Sequence, residues 1–292
     1  MDYGRLITAM VTPFNDDLSI NWGGVDLLVD HLLDHGTDGI VVAGTTGESP
    51  TLTKDEKLQL FERVLRRTQG RAKVIAGTGS NNTNETIVLT KKAEELGVDG
   101  ILLVTPYYNR PSQEGLYQHF KAVAEATKLP IMLYNVPGRT GVNMTADTVI
   151  RLSKIENITS IKEASGDLTQ IATIIEGTSE DFLLYSGDDK LFLPSLSVGA
   201  HGIVSVASHV VGNEMALMVN AFLQGNHREA ASIHRKLLPV FEGLFFTSSP
   251  APVKAALQLQ GIDTGRVRLP LLPLTEEEKA YVKQFMQEYV QR

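Results

Sequence analysis

Short apolar runs recur along the chain at 6–11, 39–43, 74–76, 100–104, 131–134, 158–162, 182–185 and 202–206. They are rich in Val, Ile and Leu without strict alternation, the pattern of parallel strands covered on both faces. Helical patterns lie between them. Leu58, Phe61, Val64 and Leu65 share one helix face; so do Leu116, Phe120, Val123 and Ala124, and Leu168, Ile171, Ile174 and Ile175. Thr145 and Asp189 stand where N-caps are expected. Strand and helix alternate eight times, which predicts an α/β protein of the (β/α)8 TIM barrel class. GTDGI at 36–40, GVDGI at 97–101 and GAHGI at 199–203 each close a helix and enter a strand, their first glycine supplying the left-handed residue that stops the helix. Beyond Val206 the pattern is helical only. Met215, Met218, Val219 and Phe222 form one stripe, Ala230, Ile233, Leu237 and Phe241 another, and a last helix is expected over 276–290. We therefore divide the chain into a barrel, 1–224, and a C-terminal helical extension, 225–292.

Barrel active sites lie on the loops that follow the strands. The sixth strand, in ITSIKEASG, ends on Lys162. Burial disfavours an ammonium, and a neutral amine can form a Schiff base with a ketone. The competing reading runs the lysine stem along the wall with its head in water. After the second strand, GTTGES at 44–49 offers close backbone approach and the donors of Thr45 and Thr46, a set suited to a small carboxylate, or simply a Gly-rich turn. After the fourth, TPYYNRPSQ places Tyr107 and Tyr108 side by side on a loop. Either the pair packs on another subunit or one phenol transfers protons. After the fifth, YNVPGRTG ends the strand on Tyr134 and lifts Arg139 on a Pro-Gly turn, suited to clamping a carboxylate or merely exposed. After the seventh, Gly187 leaves room for a ligand, while Asp188 and Asp189 read as turn and cap residues.

Composition removes several alternatives. The 292 residues contain no cysteine, which excludes disulfides and thiolate chemistry, and the net charge of −7 gives no general attraction for nucleic acid or anionic membrane. No basic stretch precedes an apolar core at the N-terminus and no apolar run approaches a membrane span, so a cytoplasmic protein is expected. The segment GTGSNN at 77–82 has Asn82 where a dinucleotide fingerprint needs its third glycine. The seven histidines show no metal-ligand spacing; His31 and His35 lack the glutamate beside the first. No metal site is expected.

In this order and spacing, GTTGES, TPYYNRPSQEGLYQHF, YNVPGRTG, IKEASGD and YSGDD closely resemble the dihydrodipicolinate synthase family. That family lies within the pyruvate-dependent class I aldolases, which also include N-acetylneuraminate lyase. The resemblance covers essentially the whole chain. It implies a lyase-type condensation of pyruvate with aspartate semialdehyde, at the entry to diaminopimelate and lysine biosynthesis, with no cofactor beyond a covalent pyruvate adduct. Lys162 would form the Schiff base, and Thr45 and Thr46 would hold the pyruvate carboxylate. Tyr134 would act as general acid/base, with Thr46 and a neighbouring subunit's copy of Tyr108 relaying protons. Gly187 and Val204 would line the pyruvate pocket, and Arg139 would bind the semialdehyde carboxylate. A homo-oligomer, dimer or tetramer, follows from the role of Tyr108. Asn81, Glu85 and Tyr107 match the site at which lysine-inhibited relatives bind free lysine. Pro50, Lys54 and Lys57 depart from it, since two ammonium groups repel a cationic ligand and proline removes a donor. Two other readings stay open: an aldolase for a sugar acid or related keto acid, and a non-catalytic keto-acid sensor.

Overall fold

The computed structural model describes residues 1–290. Eight strands form a closed barrel in chain order: β1 (Leu6–Ala9), β2 (Gly39–Val42), β3 (Lys73–Gly77), β4 (Gly100–Val104), β5 (Ile131–Asn135), β6 (Ile158–Glu163), β7 (Leu183–Ser186) and β8 (Gly202–Ser205). The helices are α1 (Trp22–Asp34), α2 (Lys54–Thr68), α3 (Thr83–Leu96), α4 (Gln113–Ala124), α5 (Pro137–Thr140), α6 (Ala146–Leu152), α7 (Leu168–Gly177), α8 (Phe192–Ser197), α9 (Ser208–Leu223), α10 (His227–Gly243), α11 (Ala251–Leu259) and α12 (Glu276–Phe285). The predicted (β/α)8 barrel followed by helices is the fold observed. Among the described residues, no helix is long and apolar enough to cross a membrane.

The residue distribution is that of strands covered on both sides: every residue of β1, β2, β5 and β8 is buried. Gly97 and Gly199 adopt φ of 83° and 105° at the ends of α3 and α8, and Gly36 adopts 85° just past α1, so the repeated glycines stop helices as expected.

Several local expectations need correction. On α2 the buried face is Leu60, Phe61, Val64 and Thr68, and Leu58 and Leu65 are only half-buried. The cap after β7 is Asp188, whose carboxylate accepts the Lys190 N–H; Asp189 is the first residue of the 3-10 turn Asp189–Leu191. Thr145 is the N-cap of α6 by position, but its hydroxyl bonds Gln113 and Thr148 instead of a helix N–H. The last helix stops at Phe285, and α11 has no counterpart among the predicted elements.

The chain folds as two compact units. One comprises Met1–Arg5 and Lys73–Val204, and contains β3 to β7 with α3 to α8. Its parallel strands align Tyr134 of β5 with Lys162 of β6 and Lys162 with Tyr185 of β7. The other comprises Leu6–Ala72 and Ser205–Arg292, and contains β1, β2, α1, α2 and α9 to α12. There Thr8 on β1 bonds the hydroxyls of Thr37 and Ser208. His209 accepts the Val11 N–H at Nε2 and meets the Val206 carbonyl through Nδ1.

Candidate active site

The end of β6 supplies the central group. Lys162 is buried, 5% exposed, with its Nζ 4.3 Å from the centroid of the equally buried Tyr134 ring. Parallel registration sets Tyr134 directly beside Lys162, so the two side chains share a face of the sheet. Among the described residues the Lys162 amine has no carboxylate partner and no hydrogen-bond acceptor; the Tyr134 ring is its neighbour. An unpaired buried amine is costly to keep, which makes Lys162 a candidate reacting group.

Gly187, just past β7, donates its N–H to the Glu163 carbonyl at 2.7 Å. A Cβ at this position would lie 2.7 Å from the Ala164 Cβ and 3.1 Å from Lys162 Cε. Glycine is needed here for space beside the lysine. Val204 is buried on β8.

The segment after β5 is a single helical turn, α5, with Pro137 at its start and Gly141 at φ 74° as its cap. Arg139 sits on it, exposed, and its guanidinium pairs with no described residue. After β4 the chain turns through Tyr108 and Arg110, both at positive φ (71° and 45°). Tyr108 is 90% exposed and Tyr107 37%. A bulky residue in the left-handed region costs about 1–3 kcal/mol and persists where the surroundings impose it. Here Asn81 donates to the Tyr107 carbonyl and Asn109 to the Asn81 carbonyl, which ties the tyrosine loop to the start of α3. Glu85 stands in the first turn of α3. Tyr107, Tyr108, Asn81 and Arg139 thus belong to the same compact unit as Lys162 and Tyr134, but Tyr108 does not pack into it.

Thr45 and Thr46 belong to the other unit, in a compact turn after β2. The Glu48 N–H bonds the Thr45 carbonyl and the Ser49 N–H the Gly44 carbonyl, at 3.1 and 3.2 Å. Ala43 and Glu48 both take the left-handed conformation (φ 53° and 59°), and Thr46 is buried. The turn is anchored by Glu48, 2% exposed, which pairs with the buried ammonium of Lys254 on α11 at 2.8 Å and accepts the Arg268 N–H at 2.8 Å. Lys254 also donates to the Arg266 carbonyl at 2.6 Å. Pro50 lies in the 3-10 turn Ser49–Thr51, and Lys54 and Lys57 open α2.

The Dihydrodipicolinate synthetase family model matches residues 2–289. The chain belongs to this family. The 4-hydroxy-tetrahydrodipicolinate synthase 1 of Halalkalibacterium halodurans is 61% identical over 279 residues, 96% of this chain and 95% of the relative. The Bacillus subtilis 4-hydroxy-tetrahydrodipicolinate synthase is 58% identical over 280 residues, 96% of this chain and 97% of the relative. Among solved structures, a dihydrodipicolinate synthase of Bacillus anthracis superposes with a TM-score of 0.97 at 57% identity, covering 98% of each chain. That of Cyanidioschyzon merolae, with lysine bound, gives a TM-score of 0.96 at 50% identity, covering 98% of this chain and 97% of that one.

Two features of this dihydrodipicolinate synthetase family chain emerge only from the structure. Glu48 lies inside the GTTGES motif, but its partners Lys254 and Arg268 are far away in the chain, and no local pattern assigns it a role. Glu163 directly follows Lys162; a carboxylate at the end of a buried strand is the one signal the sequence offers for it.

Proposed function

We propose that this protein is a 4-hydroxy-tetrahydrodipicolinate synthase, a lyase of the class I aldolase type that condenses pyruvate with L-aspartate 4-semialdehyde at the start of diaminopimelate and lysine biosynthesis. One observation carries the reading: a buried, unpaired Lys162 in contact with Tyr134, in a chain 55–61% identical over nearly its full length to curated enzymes of that name.

The chemistry accounts for the residue types. The Lys162 amine attacks the pyruvate ketone, water leaves, and the resulting iminium is a strong electron sink. Loss of a methyl proton gives an enamine whose carbon attacks the semialdehyde carbonyl, and the semialdehyde amine then displaces Lys162 as the ring closes. Each step moves a proton, and the Tyr134 phenol, beside the lysine, is the group to move it. Thr45 and Thr46 take the pyruvate carboxylate, with Gly187 and Val204 lining the keto-acid pocket. Arg139 takes the semialdehyde carboxylate in a bidentate pair. Tyr108 projects into solvent here, in keeping with service to a neighbouring subunit as a relay to Thr46 and Tyr134. The protein therefore works as a homo-oligomer, dimer or tetramer, in the cytoplasm. The reaction needs no metal or redox cofactor.

Purified protein mixed with pyruvate, with and without aspartate semialdehyde, tests the reading. Pyruvate consumption that requires the semialdehyde, together with a borohydride-reduced pyruvate adduct mapped to Lys162, is the expected result. An adduct without semialdehyde turnover would transfer the protein to another keto-acid aldolase. No adduct would leave a binding protein.

A further inference from the structure

The proposed reaction uses the face of β5 and β6 that bears Tyr134 and Lys162. The next register pair, Asn135 and Glu163, turns to the opposite face. Both are buried, at 0% and 1% exposure. The Asn135 amide donates to both Glu163 oxygens, at 3.2 and 3.0 Å, and to Asn143 Oδ1 at 2.7 Å. Its own oxygen accepts the Met144 N–H at 2.9 Å. Gln170, half-buried on α7, donates to Glu163 Oε2 at 3.0 Å and to the Asn143 side chain and Met144 carbonyl at 3.3 Å each. Asn143 returns a bond to Gln170 Oε1 at 2.9 Å. The Ser165 N–H completes the set on Glu163 Oε1 at 2.6 Å. An ionised carboxylate offers acceptors only, so Glu163 fixes the orientation of every amide around it.

The cluster ties the strand end that bears Lys162 to the far end of the segment that bears Arg139. Residues 137–142 leave β5 at Asn135 and return at Asn143 and Met144, which the cluster holds to Asn135 and Gln170. Arg139, between these anchors, has no side-chain partner of its own, so the anchors set where the backbone that carries it stands. We propose that Glu163, acting through Asn135 and Gln170, is a positioning group that sets Arg139 relative to Lys162 and Tyr134, and so governs recognition of the carboxylate of the second substrate. This role rests on the proposed function, in which Lys162 takes the keto acid and Arg139 the carboxylated aldehyde.

Gln170→Ala removes the helix-borne link while leaving Glu163 and Asn135 in place, and its fold is checked by circular dichroism and melting temperature. The expected result is a semialdehyde KM raised about tenfold, with pyruvate KM and borohydride trapping of pyruvate on Lys162 unchanged. Placed on an Arg139→Ala background, the same substitution should add less than about twofold, because the group it positions is gone. Glu163→Gln, which turns an amide donor toward converging donors, should produce the same selective rise. An unchanged semialdehyde KM, an equal rise in both KM values, or a full tenfold effect on the Arg139→Ala background would overturn the proposal. Failure of the unsubstituted protein to trap pyruvate would instead overturn the reading on which it rests.

Discussion

Tyr134 has two roles that substitution can separate: its ring packs on Lys162, and in the proposed reaction its hydroxyl moves protons. Tyr134→Phe keeps the ring and removes the hydroxyl. We expect kcat to fall about 10²–10⁴-fold, the range for loss of a general acid/base, with an unaltered melting temperature. A variant turning over within about twofold of the parent would remove Tyr134 from the proton path. Gly187 makes the complementary case, since its neighbour constrains it by volume. In Gly187→Ala the new methyl would sit 2.7 Å from the Ala164 Cβ and 3.1 Å from Lys162 Cε, forcing the lysine stem aside. Slower borohydride trapping of pyruvate, with folding retained, is the outcome to look for; an unchanged trapping rate would mean the pocket yields without moving the amine.

At the scale of elements, the turn carrying Thr45 and Thr46 is held from α11 by the Glu48–Lys254 ion pair. Breaking a buried pair by removing one partner leaves an uncompensated charge, so Lys254→Met should cost about 3–5 kcal/mol. Adding Glu48→Gln should recover part of that loss, and denaturant melts of the single and double variants measure both. A double variant no more stable than Lys254→Met would contradict this account. The same pair marks where sequence reasoning ends. Strands, helix-stopping glycines and the loops that follow β2, β4, β5, β6 and β7 are local patterns; Tyr134 and Lys162 stand one residue before the ends of β5 and β6, and Arg139 on the turn after β5. Glu48 and Lys254 are unrelated in any local pattern. The helix α11 hides for a related reason: it is only nine residues long and its one charged residue, Lys254, is buried, so little in its sequence marks a solvent-facing stripe. On α2 the misassigned Leu58 and Leu65 lie at the margin of the true stripe, where a window of apolar residues reads the same with Leu60 or without it.

For the whole molecule, two buried histidines predict acid sensitivity. Burial holds both His119 and His209 down to about 4. Burial lowers His31 and His234 in the same direction. The unfolded chain therefore takes up protons between the ordinary histidine value of 6.5 and about 4 that the folded chain refuses, and stability falls as pH drops through that window. Glu163, raised by burial, acts in the opposite sense, its stabilising effect fading as pH rises above 4.5, but it is one group against several. Urea midpoints should drop between about pH 7 and pH 5, less steeply in His209→Gln; a flat profile would refute this expectation. Regulation is predicted at the same scale. By the family resemblance, Pro50, Lys54 and Lys57 would depart from a lysine-binding site, so we expect lysine to inhibit weakly or not at all. Half-inhibition at micromolar lysine would dismiss the idea.

The anchoring of Glu48 also has a consequence in time. The Arg268 N–H that it accepts lies 220 residues further along the chain. At about 5–20 residues per second, a ribosome needs roughly 10–45 s to make that stretch. Through that interval the nascent turn after β2 has neither cation nor donor for its carboxylate. Chains halted before α11 should consequently leave Leu6–Ala72 open to proteases, and the C-terminal helices serve during synthesis as the late key that locks the earliest strands.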